Sequence, residues 1–557
     1  MNRQIRWKFV AAGVAATVAG AVAQSRSSGP PLANVPKPQP KAVGYAPASQ
    51  LSTELRQTLL AQGSMPLENP HEIIGWYGYE NDTPSPSDPA LPQMVPANLA
   101  AATLTEAQKT EPDKNTYLIL KGQKGPDPTY DYGTHFLFQG HELAATVSGK
   151  KQGYFTRINL DADTQHRVTL MATHDTDGNP IATIDGSTWD PFAQRLLFTT
   201  ENANAPTYAA TATYPSTVED VSGALGRGGY EGIQNDSRGN LWIAEDIGGA
   251  VKPGSTAARM PNSFVYRYVP REPGDLHNGK LQVLQVLNDT GQPVTFESQA
   301  TFPSPDQIAL RTYGKTFDTT WVTIHDTAVD GNAPFNANAL AKAKHGTPFK
   351  RPENGVFRPG TGFREFYFDE TGDTNATSSE NGDPETGEGG AGGWTSLFKL
   401  AQQDPSADHG RFSMFYRGNM HVAGIDNVQF LSRNILLGVE DAGDTLHTQR
   451  NALDSGYAFD VTVDYSDAHN QPIRWLAEGR DPSATIDSLG GGFGKNDGDN
   501  EITGAHVSDG DPSTEGILGA KIPNFGRDGW RWFWSQQHGD NLLWEVLPAS
   551  RSGREED

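Results

Sequence analysis

The chain has 557 residues, a formal net charge of −23 and no cysteine. The missing cysteines exclude disulfide stapling and any thiolate ligand or nucleophile. The acidic balance argues against a nucleic-acid partner, which would call for clustered Lys and Arg, and leaves carboxylates in excess for hard cations that prefer oxygen ligands.

The first segment reads as an export signal. Arg3, Arg6 and Lys8 precede an apolar stretch over 9–23, which ends in the small-x-small pattern Ala21-Val22-Ala23. That pattern predicts a signal peptide over 1–23, cut before Gln24. The stretch is short beside the roughly 20 apolar residues of a membrane span. No Arg-Arg pair marks the twin-arginine route, so the general secretory route is expected. The mature product is read as secreted or periplasmic, with no membrane association after cleavage. Residues 24–69 form a Pro/Ala-rich leader and linker.

From about residue 70 to 548 short apolar, β-branched and aromatic runs recur between Gly, Asp, Asn and Pro. Strands are expected at 116–120, 196–200, 240–244, 263–269, 320–324, 365–368, 434–439, 458–463 and 532–535. Helical periodicity is confined to 53–62 and 334–344, both read as insertions. Residues 370–393 read as a long loop, and 549–557 as a charged tail.

Several segments share one plan: a polar motif, a turn, a strand, then an acidic pair. Glu231 to Asp236 leads to Leu-Trp-Ile-Ala-Glu245-Asp246. Asp426-Asn427 leads to Asn-Ile-Leu-Leu-Gly-Val-Glu440-Asp441. Asp185 to Asp190 leads to Leu-Leu-Phe-Thr-Thr-Glu201-Asn202. Propeller blades repeat in this way, with the inner strand facing a central channel. The expected fold class is therefore all-β: a β-propeller of about six blades with loop and short helical insertions. An array of β-sandwiches is the alternative.

Candidate ligands for Ca²⁺ recur at comparable places in these units: Glu201, Glu231, Glu353, Asp426, Asn427, Glu440 and Glu501. Taken singly, each is more simply a turn carboxylate; it is the recurrence that suggests convergence on a channel mouth. In Phe349-Lys350-Arg351-Pro352-Glu353-Asn354, two cations adjoin a carboxylate. Arg can grip phosphate oxygens with two donors, and the plainer reading is a surface ion-pair loop. Residues 497–504 also concentrate oxygen ligands but lack EF-hand spacing. The aromatics of 530–534 read as core. His141-Glu142 and His538 are ambiguous between ligand and structural residue. No nucleophile elbow, His-Glu-x-x-His or Walker loop is present.

In this order the motifs resemble the PhoX-type alkaline phosphatases, a family of secreted calcium- and iron-dependent β-propellers that cleave phosphate esters. The resemblance runs from about residue 135 to 548. It rests on Gly140-His141-Glu142, Phe155 to Asn159, Phe198-Thr-Thr-Glu201-Asn202, Tyr230-Glu231-Gly with Ala244-Glu245-Asp246, and Ser263 to Pro270. It continues through Lys350-Arg351-Pro352-Glu353, Asp426-Asn427, Asp499 to Gly504 and Gln536-Gln537-His538-Gly539. It implies that Glu231 and Glu353 bind metal and that Arg351, with Lys350 beside it, contacts phosphate. Glu201 falls in the acidic motif before a blade turn, and Asp426, Asn427, Glu440 and Glu501 would lie on the calcium side. Thr200 stands where the resembled motif carries an iron-ligating cysteine, and a neutral hydroxyl is a poor iron ligand. The resemblance thus implies a metal-dependent phosphoric ester hydrolase, with Ca²⁺ better supported than Fe. It would be a monomer acting on a small-molecule phosphate ester. Two alternatives stay open: a calcium-dependent lactonase-like propeller, suggested by Glu231-Gly before an Asn-Leu-Trp strand, and a non-catalytic calcium-stabilised binding propeller.

Overall fold

The computed structural model describes residues 31–41, 48–71, 74–79, 110–142, 145–147, 150–251, 259–298, 300–372, 393–479, 501–537 and 541–549. The expected signal peptide, His538, residues 497–500 and most of the 370–393 loop lie outside these. No described helix is long and apolar enough to cross a membrane.

The chain folds as fans of antiparallel strands, each fan beginning or ending at a central ring. The six innermost strands among the described residues are β1 (Pro112–Ile119), β2 (Ser187–Asp190), β3 (Tyr230–Asn235), β4 (Gly355–Phe357), β5 (Ile425–Phe430) and β6 (Glu501–Ser508). Each is an edge strand of its sheet. They neighbour one another in sequence order, and β6 returns against β1, so the ring closes. The nine-stranded sheet is two fans joined through the long strand Thr316–Asp326, which pairs with Gly279–Leu287 on one side and His409–Arg417 on the other. This is the expected mainly-β propeller architecture.

Strand pairing places each second strand antiparallel to an inner one: Leu241–Glu245 on β3, and Ile435–Glu440 on β5. The start of the first strand and the end of the second therefore lie at the same end of the sheet. The plan read from the sequence, a polar motif before one strand and an acidic pair after the next, becomes a ring of side chains at one channel mouth.

Between neighbouring fans the faces meet in aromatic cores. Trp242 contacts Trp321, Phe357 and Phe366, with ring centroids 4.9–5.1 Å apart. Trp475 and Trp532 meet at 4.3 Å. Trp532, Phe533 and Trp534 are fully buried, as core aromatics should be.

The structure differs from the sequence reading at 53–62. Leu55–Ala61 is a strand, not a helix, and pairs antiparallel with the C-terminal strand Leu542–Pro548. A helix of that length is marginal alone, and the open edge of the last fan offers a ladder instead. Within the expected leader, Gln50–Leu51 also pairs with Ile473–Ala477. The helix expected at 334–344 forms over Ala337–Ala343, where the Asn336 side chain accepts from Ala339 N at 2.7 Å.

The N-terminal strand enters the core through Leu55, which packs in one cluster with Trp532 and Val546. Leu55→Ala should lower stability in urea denaturation by about 2–5 kcal/mol. Leu59→Ala, at a position 39% exposed on the same strand, should change it by less than about 1 kcal/mol.

Candidate metal centre

Backbone irregularities set the site. Where β1 pairs with His135–His141 the register shifts between Pro112 and Asn115. Shifts also fall between Tyr230 and Ile233 in β3, between Ile425 and Asn427 in β5, and between Thr503 and His506 in β6. A bulge bends the strand and re-aims a side chain. Each bulge spans or borders a residue of the mouth: Asp113 and Lys114, Glu231, Asp426, and Thr503. Side chains satisfy the displaced backbone. Gln139 Nε2 donates to Asp113 O at 2.5 Å, and Asn115 Nδ2 donates to Gly504 O at 2.8 Å.

Two glycines allow the strands to approach. A Cβ on Gly186 would lie 1.5 Å from Glu231 O, and one on Gly232 would lie 2.4 Å from Glu353 O. No larger residue fits either place. Asp185, Glu231 and Glu353 are thereby pressed together.

The outcome is a connected line of carboxylates. Oxygens of Asp113, Glu142 and Asp185 lie within 4.8 Å of one another, as do those of Asp185, Glu201 and Glu231, and those of Glu231, Asp246 and Glu353. Asp185 joins the first two groups and Glu231 the last two. Asp426 borders the line, facing both Glu231 and Glu353. All but Glu142 and Glu201 are buried outright.

Burial, reinforced by neighbouring carboxylates, raises the proton affinity of Asp113, Glu142, Asp185, Glu201, Glu231 and Glu353. Glu142, Asp185, Glu201 and Glu231 all stand well above the ordinary carboxylate range. Glu353 does too, although Arg351 pulls it down. Burial and Asp426 raise Asp113 to about 6 and Asp441 to about 8.

Two cations meet the line. Arg351 Nε donates to both Asp246 oxygens at 3.1 and 2.9 Å, and its Nη2 lies 2.8 Å from Glu353 Oε1. The arginine side chain is still 28% exposed. It lines an open cavity of about 480 Å³ together with Glu201, Asp246 and Arg259. Its backbone is in the left-handed region, at φ 55°, a strained conformation for a residue with a side chain. The second cation is Lys114, deeply buried, whose ammonium donates to Asn354 Oδ1. Burial pulls its pKa down, while Glu231, Asp426, Asp369 and Asp113 pull it up.

The end of strand Glu365–Glu370 clamps the loop that carries Arg351 and Glu353. Lys350 N donates to Glu370 Oε1, Thr371 N to Arg351 O at 2.9 Å, and Asn354 N to Asp369 Oδ1 at 2.7 Å. Glu370 is itself held by two Arg311 donors in a fully buried pair.

Of the residues singled out from sequence, Glu201, Glu231, Glu353 and Asp426 come together. Asn427 donates to Asp426 and to Thr503 Oγ1 at its edge. Glu440 is occupied elsewhere: it accepts from Ala423 N, Ser455 N and Arg450 Nη1, all at 2.9 Å. Glu501 starts β6 and faces Asp441. The Lys350 ammonium lies over the Phe302 ring, 5.1 Å from its centroid. Asp113, Lys114, Asp185 and Asp246 were not singled out, although Asp185 and Asp246 stand inside the repeated plan. His141 is structural: it stacks on Tyr154, its ring nitrogens face Thr110 and Thr156 hydroxyls, and burial lowers its pKa to about 3.

The fold and mouth define a β-propeller with a carboxylate-lined centre beside a half-buried arginine that reaches an open cavity. The family model for alkaline phosphatase PhoX matches residues 255–511. A structure of Pseudomonas fluorescens PhoX in complex with vanadate, a transition state analogue, superposes with a TM-score of 0.53 at 11% identity. The match covers 93% of this chain and 98% of that one. The family model spans a little under half of the chain, and the structural likeness shows a shared fold. Saccharomyces cerevisiae Sqt1 (7% identity, 79% of this chain, 99% of that one, TM-score 0.29) and a putative gluconolactonase (13% identity, 66% and 89%, TM-score 0.26) are far weaker likenesses. No curated protein matches in a sequence search.

The raised carboxylate affinities fix the sign of a pH effect. Folded groups that hold protons more tightly than unfolded ones contribute stability below the unfolded values near 4, and that stability is lost as pH rises through the folded values. Chelator-treated protein should therefore unfold at lower temperature as pH rises from about 4.5 to about 8, the region set by Asp113 and Asp441. Added Ca²⁺ should flatten this slope in a calorimetric series. Glu370→Gln leaves the buried Arg311 without its counter-charge and should lower stability by about 3–5 kcal/mol in chemical denaturation.

Proposed function

We propose that this chain is an exported, calcium-dependent phosphoric ester hydrolase whose substrate phosphate docks at the mouth cavity against Arg351. The observation that carries the reading is the placement of Arg351. It is anchored to Asp246 and Glu353, yet its side chain opens onto solvent at the end of a carboxylate line. The match of the PhoX family model to residues 255–511 and the PhoX-like fold support the same reading.

The donor set suits calcium. The line offers carboxylate oxygens only, and its buried Asp185 Oδ1 has no hydrogen-bond partner. The residues that would hold it are Glu201, Glu231, Glu353, Asp185 and Asp246, with Asp426 and Asn427 alongside. An iron–thiolate centre does not suit this chain, which has no cysteine. The Thr200 hydroxyl is turned to its own loop, donating to Pro206 O at 3.0 Å. Calcium, when bound, would neutralise phosphate charge and polarise a phosphoryl oxygen.

The chain's own residues supply recognition and orientation. The Arg351 guanidinium, its Nε and Nη2 forked onto Asp246 and Glu353, turns its Nη1 donors to phosphoryl oxygen and stabilises charge growing there. Asp246 and the Glu370–Arg311 clamp fix the direction of that fork before substrate arrives, so little reorganisation is needed on binding.

Purified mature protein with Ca²⁺ should release phosphate from a panel of aryl mono- and diesters. Arg351→Lys keeps the charge opposite Asp246 and Glu353 but loses the fork. It should lower kcat/KM by about 10²-fold with circular dichroism unchanged. A protein that releases no phosphate with Ca²⁺ or with iron, but opens lactones in a parallel panel, would overturn this reading in favour of a lactonase.

A further inference from the structure

We propose that Arg259 is a specificity residue of the mouth cavity, contacting a second anionic group on the leaving-group side of the phosphate ester. The preferred substrate is then a phosphomonoester whose alcohol or phenol part carries a carboxylate or a further phosphate. The inference rests on the reading that the scissile phosphate docks against Arg351.

Three observations carry it. The first is that two arginines share one cavity. Arg259 and Arg351 both line the open space of about 480 Å³ at the mouth. A cavity of this size holds a whole small molecule, and a phosphate group fills only part of it. The second is their difference in depth. Arg351 is 28% exposed and forked onto Asp246 and Glu353 at the end of the carboxylate line. Arg259 is exposed and so stands nearer the entrance. A phosphate drawn in to Arg351 leaves the rest of the ester on the Arg259 side. The third is the mounting. Arg259 Nη1 donates to Gly249 O at 3.2 Å, and it would lie 3.6 Å from a Cβ on Gly248, which lines the same cavity. The guanidinium is thus held at the cavity wall. The backbone beneath it is closely packed. Arg259 bridges Val251 as an antiparallel pair, Met260 N donates to Ala250 O at 2.9 Å, and a Cβ on Gly249 would lie 1.8 Å from Met260 O. The Ser263 hydroxyl accepts from Ile247 N and donates to Ile247 O, both at 2.8 Å. The arginine is therefore positioned before a ligand arrives, which lowers the cost of ordering it on binding.

A guanidinium offers five donors in a planar fork, and a carboxylate or a phosphate needs two of them. An ion pair at an exposed rim is worth a few-fold in affinity and is screened by salt. A neutral leaving group in the same place gains none of this. Choice between substrates, more than speed on any one of them, is what such a residue supplies.

The test compares phenyl phosphate with meta-carboxyphenyl phosphate and meta-phenylene bisphosphate on mature protein with Ca²⁺, by kcat/KM and by calorimetric binding. Intrinsic reactivity cancels when the ratio of each anionic ester to phenyl phosphate is compared between proteins. Arg259→Gln should lower that ratio by about fivefold for at least one anionic ester, in kcat/KM and in affinity alike. The ester that loses more names the second group. Arg259→Lys should recover part of the ratio, and about 0.5 M NaCl should erase the preference in the unaltered protein. Equal losses on all three esters in Arg259→Gln, or no loss on any, would mark Arg259 as a structural residue of its loop and overturn the proposal. If the unaltered protein binds the esters but releases no phosphate, the hydrolase reading fails by itself, and the affinity ratios still decide the role of Arg259. If it binds none of the three, both fall.

Discussion

Buried carboxylates packed within contact of one another cannot all carry charge unless something positive sits among them. That requirement organises this molecule. The bulges in β1, β3, β5 and β6 and the side-chain-free approach at Gly186 and Gly232 bring the carboxylates together. Arg351 and Lys114 relieve only part of the repulsion, and protonation relieves more when no ion is present. The crowding is thus stored electrostatic energy that a hard cation would release on binding.

The scaffold makes such crowding affordable. Strand starts and strand ends meet at one mouth because the fans are antiparallel, so most of the carboxylates sit on a strand or within a few residues of its end. The one loop that matters, 350–354, is pinned by Asp369, Glu370 and Thr371. That clamp also explains why Arg351 can persist in a left-handed backbone conformation: the surrounding hydrogen bonds over-determine it.

Much of this was legible in the sequence, because the blade plan repeats and its acidic residues fall at fixed places relative to strands. Glu201, Glu231, Glu353 and Asp426 could be found in that way. Glu440 shares the same pattern but is neutralised by Arg450 from a following helix, Gly443–Arg450, and no strand pattern reveals such a tertiary partner. Asp113 and Lys114 were not legible, since adjacent residues on a regular strand point to opposite faces. Only the bulge, a product of pairing, turns both into service. Residues 53–62 were misread for a related reason: their partner strand lies at the other end of the chain.

That partner has a consequence for how the molecule comes into being. Leu55 pairs with Pro548 and Leu59 with Trp544, so among the described residues the ring is fastened by an early strand and the last one. During vectorial emergence the early strand must wait, unpaired, until nearly the whole chain has appeared. Closure entropy grows only slowly with loop length, but the rate of forming so distant a contact falls steeply. The clasp makes ring completion a late event, and the carboxylate mouth, built from every fan, cannot mature before it.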